Sequence, residues 1–316
     1  MDTEFINKLK NKHLLYFILK VFIFLSFIAL FDFTVGNCLE YFYFKQKSGR
    51  QYRATYSMEK TKEDILIFGS SRAYHHYIPS IITSRTNHSC YNTGSPGQFI
   101  LYNYATLQAT LKRYTPKIII LDMMPTDFRK DVESYDRLSF LLPYYKKHEE
   151  IRPIIYLRGP FEKFKLLSSI YPYNSSILMI IGGNSEYIKK KNIDQMGYKP
   201  LNEIWNQPIQ YLRNSSQYEL DFKKIECYEN FIKDCKNKGI QLFVIVSPSY
   251  IIRGHTEYSI SIAQKIAAKY SIKFYDYTNA TIFTSNASLF ADAGHLNNNG
   301  AKLYTNFVMD KILNNK

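Results

Sequence analysis

Ile65-Leu66-Ile67-Phe68-Gly69-Ser70-Ser71-Arg72-Ala73 is the stretch on which the reading of this chain turns. Four successive apolar residues suit a strand covered on both faces, and the glycine that ends them is followed at once by serine at a predicted helix start. A hydroxyl placed there lies exposed at the C-terminal edge of a sheet, near backbone N–H groups that can stabilise an anion. The turn is a Gly-x-Ser lacking the second glycine of the α/β-hydrolase elbow, because position 73 is alanine. Taken alone, such a turn is more often a plain helix cap.

Outward from this turn, short β-rich runs alternate with longer amphipathic stretches, the pattern of a parallel sheet with helical crossovers. Strands are predicted at residues 65–68, 89–91, 117–121, 241–246 and 272–275, and helices at 98–114, 220–238, 257–270 and 299–313. Leu220, Ile225, Phe231, Ile232 and Cys235 approximate one apolar helix face. The expected fold class is α/β, a three-layer α/β/α sandwich with a parallel sheet of about five strands. Residues 128–216 break the rhythm, with loop signals at Gly182-Gly183-Asn184 and Gly197-Tyr198-Lys199-Pro200, and are expected to form a helical insertion positioned over the site. Its tyrosines, Tyr135, Tyr144, Tyr145, Tyr156, Tyr171 and Tyr173, either offer faces to sugar rings or pack beneath the insertion.

The second chemically suggestive stretch is Phe290-Ala291-Asp292-Ala293-Gly294-His295, ahead of the last predicted helix. A serine nucleophile needs a base within hydrogen-bond reach and a carboxylate that fixes the tautomer of that base. An Asp-x-x-His turn supplies both from one loop, although a solvated polar loop has the same composition.

Together the two stretches resemble the first and fifth blocks of the SGNH/GDSL hydrolase superfamily, in its Gly-Ser-Ser-Arg form. Asn92-Thr93-Gly94-Ser95-Pro96-Gly97, after the second predicted strand, is similar to the second block. The resemblance spans residues 64 to about 313 and leaves 128–216 unmatched. It implies Ser71 as nucleophile, His295 as general base and Asp292 as its orienting partner. It also implies an oxyanion hole formed by the backbone N–H groups of Ser71 and Gly97. The third block departs: where the family has Gly-x-Asn-Asp, this chain reads Leu121-Asp122-Met123-Met124-Pro125-Thr126-Asp127. With no asparagine there, Thr126 is the candidate substitute, and one lost oxyanion donor costs about 10²–10³ in rate. Arg72, His75 and His76 add basic groups beside Ser71; Arg72 reads as a structural ion pair before a ligand clamp, and neither histidine is assigned to catalysis.

The N-terminal region decides location. Residues 14–31 carry one charge, Lys20, and cover most of a bilayer core of about 30 Å, so they are expected to be an uncleaved transmembrane anchor. A cleaved signal or a buried helix fits less well, since neither a small-x-small site nor a lipoprotein site follows. Lys8, Lys10 and Lys12 support an N-terminus-inside arrangement, against which stand Lys45, Lys47 and Arg50. The expected organisation is a cytoplasmic tail at 1–13, an anchor at 14–35, a juxtamembrane stalk at 36–60 and an SGNH-like domain at 61–316.

Composition bounds the function. A chain of 316 residues, 46% hydrophobic and 22% charged, fills a large core and is not disordered. The formal charge of +14 is scattered without a basic tail or nucleic-acid module, so no nucleic-acid partner is expected and an anionic membrane surface or acidic polymer is favoured. Cys38, Cys90, Cys227 and Cys235 show no metal spacing, and no metal or organic cofactor is implied. The expected function is a serine-dependent acyl-ester hydrolase or O-acyltransferase acting on an acylated small molecule or an envelope carbohydrate. The alternative is a catalytically silent glycan-binding or assembly module at the membrane. Oligomeric state is left open.

Overall fold

The structure is a computed structural model that describes residues 3–185, 195–212, 218–254 and 257–313, with backbone alone for 3–11. Its strands are β1 (Ile65–Gly69), β2 (Cys90–Asn92), β3 (Ile118–Asp122), β4 (Gln210–Leu212), β5 (Gln241–Val246), β6 (Ile251–Arg253) and β7 (Lys273–Asp276). A 5-stranded sheet runs β2-β1-β3-β5-β7 with every pairing parallel, and β4 pairs with β6 in a small parallel ribbon. The α/β fold class and the five-stranded parallel sheet are therefore as expected.

The period of 2 along each strand sorts the core into two layers. Leu66, Phe68, Ile119, Leu121, Leu242 and Val244 face α5 (Ile100–Arg113) and the helices Phe222–Asn237 and Tyr258–Lys269. Ile65, Ile67, Ile120, Phe243 and Ile245 face α3 (Ser71–His76), α4 (Pro79–Thr86) and the last helix, Asn298–Leu313. Burial on both faces explains why these strands read as unbroken apolar runs.

Two expectations are corrected. Residues 36–60 are not a stalk. They complete α1 (Thr3–Lys45), then form α2 (Gly49–Thr55) and a π-helical turn (Tyr56–Lys60), burying Tyr43, Ala54 and Met58. Their partners stand far along the chain: Tyr43 Oη meets Tyr144 Oη at 3.3 Å and Thr55 Oγ1 meets it at 2.9 Å. The insertion is also not uniformly helical, since β4 lies within it, and its tyrosines do not form an outward aromatic surface. Tyr144 and Tyr173 are buried with Tyr43, Met58, Leu101 and Leu141 in a further core on the outer side of α5.

α1 is long and apolar enough to cross a membrane, and its apolar residues from Leu14 to Phe31 are exposed. All four cysteines are free thiols, with Cys90, Cys227 and Cys235 buried and Cys38 exposed.

Because Tyr43, Ala54 and Met58 complete a core, the cut at residue 60 suggested by sequence falls inside the folded unit. Burial of a Tyr- or Met-sized side chain contributes about 1.5–3 kcal/mol. A chain beginning at residue 61 is therefore expected to aggregate or melt at least about 10 °C below one beginning at Asp32, as thermal unfolding of the two purified proteins would show.

Candidate active site

β1 ends at Gly69, whose φ of +146° is one that side chains rarely adopt; a Cβ there would lie 2.6 Å from the Asp122 carbonyl oxygen and 2.7 Å from Ala73 Cβ. Only glycine lets the chain turn so tightly against β3 and start α3. The sheet order reverses between β1 and β3, and Ser71 opens α3 above that switch point, where open α/β sheets place ligands. Ser70 and Ser71 part company here: Ser70 is buried and its Oγ has no partner among the described residues, whereas Ser71 is half-buried and bonded.

His295 Nε2 lies 2.7 Å from Ser71 Oγ, and His295 Nδ1 lies 2.9 Å from each oxygen of Asp292. A carboxylate only accepts, so Nδ1 carries the proton and Nε2 is left to accept from the Ser71 hydroxyl. Asp292 Oδ1 also accepts from the N–H groups of Gly294 at 2.7 Å and His295 at 2.9 Å, which closes the Asp-x-x-His turn on itself. Burial works to raise the Asp292 carboxyl, but the His295 ring and these N–H groups outweigh it and hold it below its ordinary value. Ser71, His295 and Asp292 thus come together from opposite ends of the sequence.

His76, given no role from sequence, is the bolt between those ends. Its Nε2 accepts from Leu296 N–H at 3.0 Å, so its Nδ1 bears the proton and donates to Ser247 Oγ at 3.1 Å. The ring is fully buried, and burial, followed by the nearby charges of His295 and Arg72, pushes it well below the ordinary histidine range. One neutral imidazole therefore pins the residue after His295 to the helix that begins with Ser71. His75 turns the other way and meets the Lys199 carbonyl at 2.7 Å; burial chiefly lowers it to about 4.

Arg72 is a structural clamp. Its buried guanidinium donates to the carbonyls of Ser247 at 2.8 Å and Met123 at 2.6 Å, with Asp122 Oδ1 3.9 Å away. Asn92 does comparable work: its Nδ2 donates to the Ala73 and Tyr77 carbonyls at 2.7 and 3.0 Å, and its Oδ1 accepts from Gly94 N–H. Gly94 is the glycine of this loop that touches α3, since a Cβ there would lie 2.6 Å from Tyr74 N. Gly97 sits beyond it with φ +71° and its Cα against the Arg137 guanidinium. The N–H groups of Ser71 and Gly97 donate to nothing among the described residues. Thr126 makes no hydrogen bond to the triad residues among the described residues; the turn it occupies is braced instead by Asp127, which accepts from Met124 N–H at 2.9 Å. Burial pushes the Asp127 carboxyl up to about 7.

The part of the insertion that crosses the His295 loop is its later stretch, not its tyrosine-rich turns. Trp205 N–H donates to the Phe290 carbonyl at 2.8 Å, and Asn298 N–H to Leu201 at 2.7 Å.

No protein-family model and no curated protein matches the sequence. Among solved structures, a Bacteroides fragilis protein named as a candidate acylhydrolase matches at 10% identity over 86% of this chain and 99% of its own, with a TM-score of 0.42. A lipase/acylhydrolase from Enterococcus faecalis matches at 10% identity over 79% of this chain and 95% of its own, with a TM-score of 0.37.

The His76 environment has a measurable consequence. An imidazole whose folded value lies below its unfolded value of 6.5 supplies stability that is complete above that pH and lost as the pH falls beneath it. The melting temperature is expected to drop steadily from pH 6.5 towards pH 4. In His76→Gln the overall value should be lower but the slope shallower; equal slopes in the two proteins would remove His76 as the source.

Proposed function

We propose that this chain is a membrane-anchored serine esterase or O-acyltransferase of SGNH/GDSL type. The observation that carries the reading is the unbroken line from Asp292 through the His295 ring to Ser71 Oγ, with separations of 2.9 and 2.7 Å. In the proposed reaction His295 Nε2 takes the hydroxyl proton as Ser71 Oγ attacks an ester carbonyl, and Asp292 steadies the imidazolium that forms. His295 then returns the proton to the leaving alkoxide, which departs and leaves an acyl group on Ser71. Water or a sugar hydroxyl, deprotonated by His295, attacks that acyl group and restores the serine. The N–H groups of Ser71 and Gly97 are the proposed oxyanion donors, with Thr126 as the third. Without Thr126 or another group in place of the third-block asparagine, turnover falls about 10²–10³-fold.

The proposed acyl partner is an envelope carbohydrate. Its support is the tether, which concentrates the enzyme where such polymers are assembled, and the net charge of +14. The buried Tyr144 and Tyr173 lend it none. In this reading α1 leaves the catalytic domain outside the cytoplasm, with Lys8, Lys10 and Lys12 retained inside.

A fluorophosphonate probe is expected to label the full-length protein, to label Ser70→Ala, and to fail on Ser71→Ala. Ser71→Ala and His295→Ala should each lower ester turnover at least about 10³-fold, and the double variant should be little worse than either, because the two act as one unit. Multiplicative losses would argue against a coupled pair, and absence of labelling from the folded parent would favour the silent glycan-binding module. A periplasm-active reporter fused after Lys316 should be active, and a cytoplasm-dependent one silent.

A further inference from the structure

We propose that residues 161–167 form a face on which the domain rests upon the bilayer, with Phe161, Phe164 and Leu167 entering the boundary between head groups and acyl chains. The inference rests on the reading of α1 as a membrane anchor. These side chains are 67%, 70% and 81% exposed. They recur at a three-residue spacing around the short helix Glu162–Lys165, which sets them on one side of a tight helical turn. The carboxylate of the same turn points the other way, while Lys163 and Lys165 stay exposed beside the rings. Glu162 is buried and accepts from Tyr171 Oη at 2.7 Å while pairing with Arg158. A turn that hides its carboxylate and shows its phenylalanines is amphipathic in the sense opposite to that of a water-facing surface.

The position of this turn names what covers it. Asp32 directly follows the apolar run that ends at Phe31, and it accepts from Ser168 Oγ at 2.5 Å, Ser169 N–H at 2.6 Å and Ile170 N–H at 3.3 Å. Gly36 permits the close approach, since a Cβ there would lie 2.4 Å from Ser169 Cβ. Leu167, the neighbour of Ser168, is therefore held at the level where α1 emerges from the membrane. Lys163 and Lys165 stand among the exposed aromatics, Lys163 Nζ lying 4.7 Å over the Tyr156 ring. Lysine stems with aromatic neighbours suit an interface whose outer layer carries phosphates.

The test uses the full chain with Cys38→Ser, which leaves only the buried cysteines, reconstituted in mixed phosphatidylcholine and phosphatidylglycerol vesicles. An environment-sensitive fluorophore is placed at Phe164→Cys, Leu167→Cys, Phe24→Cys in the anchor, and Ile282→Cys as an exposed control beside the last helix. Lipids spin-labelled on the acyl chain are expected to quench the first three at least about twofold more than Ile282. Quenching at Phe24 with Phe164 and Leu167 no different from Ile282 overturns the proposal and leaves the anchor standing. No quenching at Phe24 overturns the anchor reading and the proposal with it. Shielding of Phe164 and Leu167 from water without lipid quenching, rising with protein density, would mean that a second copy covers the face, and overturns the proposal too.

Discussion

The arrangement depends most on the guanidinium of Arg72. Set directly after Ser71, it reaches under the C-terminal edge of the sheet and joins the chain leaving β3, at Met123, to the chain leaving β5, at Ser247, with Asp122 close by. A buried cation is tolerated only where acceptors surround it, so the three strand ends cannot shift independently without exposing a charge to an apolar interior. Asp122 extends the constraint outward. Burial raises its carboxyl, Arg72 opposes that rise, and it accepts from Tyr77 Oη at 2.6 Å. Tyr77 in turn meets Tyr304 on the last helix at 3.1 Å. One polar chain thus links the switch point of the sheet to the helix that follows the His295 loop.

That linkage explains how groups 224 residues apart meet within hydrogen-bond distance. Asp292 and His295 need no long-range help to find each other, because a single turn holds them and its own N–H groups orient the carboxylate. What must be positioned is the turn as a whole. His76 does this from the Ser71 side through Leu296, and Asn297 from the other, its Oδ1 accepting from Asn299 and Gly300 at the start of the last helix. Both are filled to their bonding capacity, Asn297 by backbone groups and His76 by one backbone N–H and the Ser247 hydroxyl, which is the condition for a buried polar residue to specify a geometry rather than merely weaken a core.

Much of this was legible in the sequence where local pattern and local chemistry agree. The strands of the main sheet announce themselves as apolar runs, and Gly69 and the Asp-x-x-His turn are readable because their constraints act within a few residues. Residues 36–60 were misread because tyrosine and lysine at a chain's edge look like a solvated linker until Tyr144, about a hundred residues on, is known to lie against Tyr43. The short β4 and β6 strands escaped for a similar reason: each is 3 residues long and is defined by the other, across a gap in sequence no period can bridge. His76 left only an adjacent histidine pair as its trace, and nothing in a pair of letters says that one ring is fully buried and neutral. Asp127, which accepts from Met124 N–H and braces the turn that carries Thr126, has no comparable local signal.

The unbroken course of α1 through Lys45, locked to the insertion at Asp32 and to α2 and the outer core beyond it, makes the connection a mount and not a leash. A head on a flexible stalk samples a hemisphere and meets targets at many heights. A head bolted to its post has one altitude and one facing, and can only pivot about the post's own axis. For the anchored esterase proposed above, substrates would have to be delivered at that altitude by whatever carries them, and selection among otherwise equivalent esters would fall to their distance from the lipid surface before any pocket is consulted.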